Sequence, residues 1–490
     1  MKFDFHTIVI GAGSAGLMTA GILSNLGATV ALIEKNKMGG DCLNTGCVPS
    51  KALLYHAENQ RKYSFGSHDA ETEAFSNVMK GIHHTIDQIA PHDSVERFEE
   101  MGVNVFEGHG KLLDPHRVEV AFYKGKQMET IELTGKNIVI ATGSRPRVPD
   151  LEGLSTISYL TNETLFHLEK LPERLVIWGG GPISMEIGQA FSRLGSDVSV
   201  ILRGNRLFKK DEPEVHEVMK DLLEKDGITF YFGYEPMAIR KMEKENKAVH
   251  EQFQILMKQR ETGVEKSITA DRLLLALGRE ATTENLGLEN AGVERDQRDY
   301  VKVNRHLQTS RKNIFACGDI LGDFQFTHMA GYEAEIVTRN LMLPVKTKAE
   351  YSKAVWTTYT KPQVAHSGHT ETSAKEAGKL GKVLVKSSQD VDRSMIEGDT
   401  AGFAKLILDR RGRIIGGTIV SNEAGEMITG VSLAIRKKLK LGAFQSLIYS
   451  YPTKSEIFKA LAVDNLQDSV KPWQRNLIKK WLGRSINRER

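Results

Sequence analysis

The hydrophobic pattern is sharpest in two places. Residues 7–10 read TIVI, a short β-branched run. GAGSAG follows at 11–16, then the apolar stretch LMTAGILSNLG and the run TVALIEK. This order predicts strand, tight turn, helix and strand. It returns in RLVIWGGGPISMEIGQAFSRLGSDVSVILR, which ends at Arg203. From 351 to about 465 the pattern changes. GFAKLILD and RIIGGTIV alternate as a half-buried sheet would, and EMITGVSLAIRKKL has the spacing of an amphipathic helix. Residues 60–100 are polar and helical in character, interrupted at Pro91. The expectation is an α/β chain with two Rossmann-like dinucleotide-binding domains and an α+β domain behind them. At 490 residues the chain is too long for one core.

The glycine spacing gives both repeats a chemistry. In the first, Gly11 permits the turn, Gly13 lets the backbone approach a pyrophosphate, and Gly16 permits close helix–strand packing. Unpaired N–H groups at the helix start suit phosphate oxygens. Glu34 closes the second strand, where a carboxylate can accept from ribose hydroxyls. In the second repeat Gly179 and Gly181 take the first two roles and Ser184 the third. No acid ends the strand that follows. Leu202 and Arg203 stand there instead, then Arg206, Lys209 and Lys210. Guanidinium groups pair with a 2′-phosphate that a carboxylate would repel, so NADPH is favoured over NADH here. Alternatively, these cations form a solvated loop. Two such sites in one chain suggest one bound flavin and one exchanging nicotinamide.

Composition adds limits. No apolar stretch reaches the length of a membrane span, and no signal-peptide pattern opens the chain, so the cytoplasm is the expected location. The formal charge of +4 is uneven: residues 471–490 hold seven basic residues and one acidic one. The rest is near neutral, and a nucleic-acid surface is not implied. Within this tail, Trp473, Leu477 and Trp481 are four apart and share a helical face. They fit an interfacial helix that meets anionic lipid or an acidic protein, and so a membrane-peripheral enzyme. They also fit a helix packed on the preceding domain with a solvated basic face, which is the preferred expectation.

The chain has three cysteines, at 42, 47 and 317. Cys42 and Cys47 lie in GGDCLNTGCVPSKALLYHAE beside the first glycine loop. They lack the further ligands and closer spacing of a zinc site, so no metal is expected. Pro49 and SKALLYHAEN suggest a helix beginning near Cys47, which would stabilise a thiolate there. The alternative is two inert buried thiols.

GAGSAG, CLNTGCVPSK, ATGSRP and CGD together resemble the flavin-dependent pyridine nucleotide–disulfide oxidoreductases, over roughly residues 5–465. The resemblance implies that Gly11, Gly13, Gly16, Glu34, Thr142, Gly143 and Asp319 bind FAD. It makes Cys42 the interchange thiol, which meets the substrate, and Cys47 the charge-transfer thiol beside the flavin. It places Lys51 near flavin N5, paired with Glu186. ADRLLLALGREATTENLGL at 270–288 looks like the return strand from the nucleotide domain. Gly278 within it joins the cofactor-binding residues, while Ala281 and Thr282 replace the family's Pro-Asn. The implied domains are 1–150 and 281–350 for FAD, 151–280 for the nicotinamide nucleotide, and 351–465 for dimerisation, with a basic tail at 466–490. In the family the dimerisation domain completes the partner's active site, so a homodimer is implied.

The family motif His-Pro-Thr-x-x-Glu is met by Pro452, Thr453 and Glu456, with Tyr451 in the histidine position. A phenol, with a reference pKa of about 10, is no ready base near neutral pH. It can donate a hydrogen bond, stack, or fill interface volume, as can Tyr449 nearby. Dithiol oxidation needs the missing base more than acceptor reduction does. Dihydrolipoamide dehydrogenase and glutathione reductase activities are therefore marked down. Mercuric reductase activity also fits poorly, because no cysteine follows Cys317 and no metal-binding domain precedes the flavin motif. The expected reaction passes electrons from NADPH, or NADH, through a Cys42–Cys47 disulfide to a small-molecule or protein disulfide or another electrophile. A peripheral-membrane quinone reductase and a redox-sensing flavoprotein are the alternatives.

Overall fold

The computed structural model describes residues 2–60, 68–125, 127–242 and 251–486. The last four residues of the basic tail lie outside the described residues. The chain forms two compact units. Residues 1–207 and 220–350 make the first, and residues 208–219 and 351–490 the second.

The first unit is built around two parallel-sheet cores, each with antiparallel strands attached. Strand β1 (Phe5–Ile10) leads through the glycine turn into helix α1 (Ser14–Asn25) and strand β2 (Val30–Glu34). β1 pairs in parallel with β2 on one side and with the strand Gln127–Ile140 on the other, in registers Ile10↔Ile33 and Ile10↔Ile140. Val103–Glu107 extends the sheet beyond β2. The short strand Ile314–Ala316 pairs with Ile138–Ile140, so the far end of the chain closes this sheet. These strands are buried on both faces: Ile8, Ile10 and Ile33 on one, and Val9, Leu32 and Val139 on the other, are all 3% exposed or less. That explains why TIVI and TVALIE read as continuous apolar runs and not as alternation.

The second dinucleotide core is a four-stranded parallel sheet. Its order is Ile228–Phe232, Asp197–Leu202, Arg174–Trp178 and Arg272–Leu275. A three-stranded antiparallel sheet, Tyr234–Lys241, Phe253–Gln259 and Glu265–Ala270, shares its core through Ile239, Phe253 and Ile255. Ala281, at the departure from Pro-Asn, ends a short strand, Arg279–Ala281, paired with Ser144–Pro146.

The second unit holds a five-stranded antiparallel sheet. GFAKLILD and RIIGGTIV supply two central strands, Phe403–Asp409 and Ile414–Ser421. The helices Ala424–Arg436 and Glu456–Ser469 bury Ile428, Val431, Phe458 and Leu461 in its core. Lys405 is 1% exposed in this unit, and its Nζ lies 3.0, 2.7 and 2.9 Å from Glu212, Glu214 and Glu371. The fold is thus two Rossmann-like α/β domains with a separate α+β domain.

One expectation fails. The basic tail forms a helix, Pro472–Ile486, but it is not packed on the preceding domain. Trp473 is 58% exposed, Leu477 57% and Trp481 70%.

Candidate active site

Gly11 sits at φ +104°, and a Cβ there would lie 2.4 Å from the Ala141 carbonyl oxygen. A Cβ on Gly16 would come within 1.8 Å of the Gly11 oxygen. These contacts allow only glycine. Gly13 is different: nothing stands closer than 3.9 Å to its Cβ position, so the loop is open before α1. Gly13 is the N-cap of α1 and no side chain caps the helix, leaving its first N–H groups to an anion. The buried Glu34 accepts from Ala12 N at 2.6 Å and Asn36 N at 2.8 Å. That fixes the carboxylate while each oxygen keeps a lone pair for a ribose hydroxyl. The uncapped helix start, open glycine and fixed acid fit the adenosine half of a flavin dinucleotide.

Two helices carry the cysteines. Cys42 lies in α2 (Gly40–Asn44), and Cys47 is the first residue of α3 (Cys47–Gln60). The thiols hydrogen-bond each other. Hydrogen bonding from Cys42, then from Thr327, and the charge of Lys51 push Cys47 down to about 6. The same hydrogen bond and burial push Cys42 far up. The pair therefore holds one proton near neutral pH, on Cys42, with the thiolate on Cys47. Thr327 Oγ1 is 3.2 Å from the Cys47 sulfur. Cys317 stands apart: it is fully buried, and burial pushes its thiol up to about 12.

Lys51 is one turn beyond Cys47 on α3. Its Nζ donates to Glu186 Oε2 at 2.7 Å, and Glu186 is almost fully buried. Glu186 belongs to the helix Pro182–Leu194, which packs against α3.

A second node lies around Arg279. Its guanidinium pairs with Asp41, the neighbour of Cys42, donates to Ser144 Oγ at 2.6 Å, and lies 3.5 Å from Asp319. Asp319 also accepts from Ser144 Oγ at 2.7 Å, and burial pushes its carboxyl above the usual range. Thr142 Oγ1 donates to the Thr282 carbonyl at 2.9 Å, and Gly143 adopts φ +67°. Thus the ATGSRP and CGD loops converge on the segment bearing Cys42. Sequence reasoning missed Arg279 and Asp41. Of the Gly-Arg pair the sequence motif singles out only Gly278, although a lone arginine after a buried strand is a usable signal.

On the nicotinamide side, a Cβ on Gly179 would lie 2.1 Å from the Ala276 oxygen. Gly181 is the uncapped N-cap of Pro182–Leu194, and a Cβ there meets nothing within 4 Å. Gly278, at φ +93°, is equally open. The Ser184 hydroxyl is buried with no partner among the described residues. Arg203 follows the strand Asp197–Leu202 and is exposed, 3.8 Å from Glu235, which also lies 3.8 Å from Arg260. Arg206 is half-buried in the same unit. Lys209 and Lys210, grouped with them by sequence, fall in the 208–219 segment of the second unit. The open glycine helix and exposed arginine fit a nicotinamide dinucleotide.

Tyr451 lies in the second unit and is 71% exposed. Its hydroxyl donates to Asp392 Oδ2 at 2.8 Å. Glu456 accepts instead from the Thr453 backbone N–H at 3.2 Å, at the start of its own helix. The carboxylate that holds the family histidine therefore does not hold this phenol. Lys454, inside the motif, is buried and pairs with Asp399 at 2.7 Å, Glu397 at 2.9 Å, and Glu423. Tyr449 is half-buried and donates to the Phe444 carbonyl at 3.2 Å. Nothing in the sequence pointed to Asp392, 59 positions before Tyr451.

Two dinucleotide folds, a cysteine pair at a helix start and a separate antiparallel domain define a two-nucleotide disulfide oxidoreductase. The chain belongs to the pyridine nucleotide-disulphide oxidoreductase family: it matches that family over residues 5–334 and the family's dimerisation domain over 354–462. It is 32% identical to a mercuric reductase of Staphylococcus aureus over 466 residues, covering 94% of this chain and 82% of that one. It is 31% identical to a dihydrolipoyl dehydrogenase of Chlamydia muridarum, covering 95% and 98%. Among solved structures it resembles the HOCl-induced flavoprotein disulfide reductase RclA from Escherichia coli. The TM-score is 0.82 at 25% identity, covering 94% and 99%. RclA is also known as a Cu(II) complex. This protein is an FAD-dependent NAD(P)H disulfide oxidoreductase that dimerises through its C-terminal domain.

Proposed function

We propose that the protein is an NADPH-preferring reductase in which Cys42 and Cys47 form the redox pair and Cys42 meets the acceptor, a disulfide or another electrophile. In this reading residues 1–150 and 281–350 bind FAD, 151–280 bind the nicotinamide nucleotide, and 351–465 dimerise. Gly11, Gly13, Gly16, Glu34, Thr142, Gly143 and Asp319 hold FAD. Gly179, Gly181, Arg203, Arg206 and Gly278 face NADPH, with NADH a weaker substrate. FAD, when bound, relays two electrons from the nicotinamide to the cysteine pair.

The observation that carries this reading is the setting of the pair: Cys47 opens α3, 3.2 Å from Thr327 Oγ1 and one turn before Lys51, which Glu186 holds, a setting that favours the thiolate on Cys47 and the proton on Cys42. One hydride equivalent from NADPH converts the Cys42–Cys47 disulfide to one thiol and one thiolate. The proton passes from Cys42 to Cys47, the Cys42 thiolate attacks one sulfur of the acceptor disulfide as that disulfide breaks, and the released half takes the proton from Cys47 and leaves as a thiol. The Cys47 thiolate attacks the Cys42 sulfur, reforms the disulfide and releases the second half as a thiolate. Two electrons leave the enzyme and the protons balance. Lys51, beside the pair and oriented by Glu186, stabilises negative charge there.

Tyr451, donating to Asp392, disfavours the reverse direction, in which a base must accept a proton from a dithiol substrate. Thiophilic metal ions form a second acceptor class, favoured by the mercuric reductase relatives and the Cu(II) complex of RclA. We place the enzyme in the cytoplasm, with a peripheral contact through its basic tail. The test is an acceptor screen of the purified holoenzyme with NADPH and NADH against disulfides, quinones, Hg(II) and Cu(II). Cys42→Ser is expected to lose disulfide reduction. Retention of full disulfide turnover by Cys42→Ser would overturn the proposal, and quinone turnover alone would favour direct flavin chemistry.

A further inference from the structure

The C-terminal helix Pro472–Ile486 has a surface that the redox reading does not use. Five large apolar side chains stand out from it: Trp473, Leu477, Ile478, Trp481 and Leu482, from 48% to 70% exposed. At about 100° per residue these five occupy roughly half of the helix circumference, with Arg475, Lys479 and Lys480 on the other half and Arg484, in the last turn, in line with Trp473 and Leu477. From Lys471 to Ile486 there are five cations and no carboxylate. A helix docking site for an ordinary protein partner would balance some of this charge. A run of like charge beside an apolar arc containing two tryptophans instead matches an anionic lipid interface. There the aromatic rings sit at headgroup level and the long basic side chains reach the phosphates.

The match to the dimerisation domain ends at residue 462, before the helix begins. The core of that domain is completed by Ile457, Phe458, Leu461 and Ala462 of the preceding helix, and among the described residues none beyond Val470 contributes to it. No described helix is long and apolar enough to cross a membrane, so any contact is one of lying on the surface.

We infer that the helix Pro472–Ile486 is an interfacial anchor that binds the enzyme to a membrane surface rich in anionic phospholipid, with Trp473, Leu477 and Trp481 inserted among the headgroups. The inference does not rest on the identity of the electron acceptor. Binding is reversible and salt-sensitive, because a single short helix supplies both the apolar area and the charge.

The test uses the full-length holoenzyme and co-sedimentation with phosphatidylcholine vesicles, with and without phosphatidylglycerol. The wild type is expected to sediment with the anionic vesicles and to be released by salt. Its tryptophan emission is expected to shift to the blue. That shift reports the helix, since Trp178 is buried and Trp356 is stacked on His366. Each cation near such a surface strengthens partitioning about fivefold, so Lys479→Gln with Lys480→Gln is expected to weaken it about 30-fold. Trp473→Ala with Trp481→Ala is expected to weaken it further. Flavin content and NADPH turnover in solution are expected to stay at wild-type levels in both variants. Absence of sedimentation, equal sedimentation with neutral vesicles, or insensitivity to both variants would overturn the inference. So would conversion of the dimer to monomer by the tryptophan variant without loss of vesicle binding, which would make a second copy the occupant.

Discussion

Tyr451 and Asp392 are joined by a 2.8 Å hydrogen bond from the phenol to the carboxylate, while Glu456 turns to the Thr453 N–H. The hydrogen bond to Asp392, and then its charge, raise the pKa of the phenol. Asp392 holds the phenol proton where a base would have to give it up. Asp392→Asn is expected to lower the ionisation midpoint of Tyr451, measured by ultraviolet difference titration against Tyr451→Phe. Tyr451→His places an imidazole beside the same carboxylate and is expected to increase NADP+ reduction by a dithiol. An unchanged rate in a folded, flavin-loaded dimer would mean that the base is not what limits this direction.

The Cys47 midpoint depends first on the hydrogen bond from Cys42. Cys42→Ala removes the donor and is expected to raise that midpoint above about 6. Cys42→Ser keeps an O–H donor and is expected to raise it less. Thiolate absorbance followed against pH, with Cys47→Ala as the blank, measures both. The sign also carries to stability. The folded midpoint lies below the unfolded value of about 8.5, so the thiolate stabilises the reduced protein above that pH. The contribution is lost as pH falls through about 6. Thermal melts of reduced wild type and Cys47→Ala across this window should converge at the acid end.

Glu235 lies 3.8 Å from both Arg203 and Arg260. A carboxylate between two cations competes with a 2′-phosphate for them. Glu235→Gln is expected to raise the NADPH:NADH ratio of kcat/KM by about two- to fivefold, the scale of an exposed ion pair. Arg203→Glu is expected to reverse the preference. If neither substitution moves the ratio, the 2′-phosphate is read elsewhere.

The glycines separate structural from binding roles. Gly16→Ala drives a methyl into the Gly11 oxygen and is expected to cost about 1–3 kcal/mol and to lower flavin retention. Gly181→Ala meets no protein atom, so melting temperature should hold while KM for NADPH rises. Melting curves and bound-flavin ratios distinguish the two.

Lys405 pairs with three carboxylates inside the second unit, one of them the buried Glu212. Lys405→Met leaves that charge unpaired, at a cost of about 3–5 kcal/mol. Adding Glu212→Gln should recover part of it. Urea unfolding of the single and double variants measures the recovery.

Elements of regular period were readable from sequence because each is bounded by its own chemistry. TIVI runs into glycine, and Pro49 sits near the start of the helix that begins at Cys47. The site was readable only where one segment carried both partners or a motif supplied them. Lys51 and Glu186 came from motifs and meet at 2.7 Å. Asp392 lies on a short helix with no recognisable spacing to Tyr451, and Arg279 reaches Asp41 across 238 positions. Those meetings are created by sheet closure and loop packing, which local periodicity does not encode. The tail was misjudged for a related reason. An apolar stripe shows that a helix has something to bury, but not what it buries it against.

The strand Ile314–Ala316 also bears on how the chain is made. Ile138–Ile140 pair with β1 on one side and await Ile314–Ala316 on the other. At about 5–20 residues per second, a ribosome takes roughly ten to thirty seconds to bridge that interval. For that time the nascent first sheet presents an open edge, the kind of surface on which chains aggregate. The four-stranded sheet between them has a shorter wait, since Arg174–Trp178 gains its second neighbour, Arg272–Leu275, well before Ile314 is made. It is therefore expected to fold first, as an inserted unit, while its host is still unfinished.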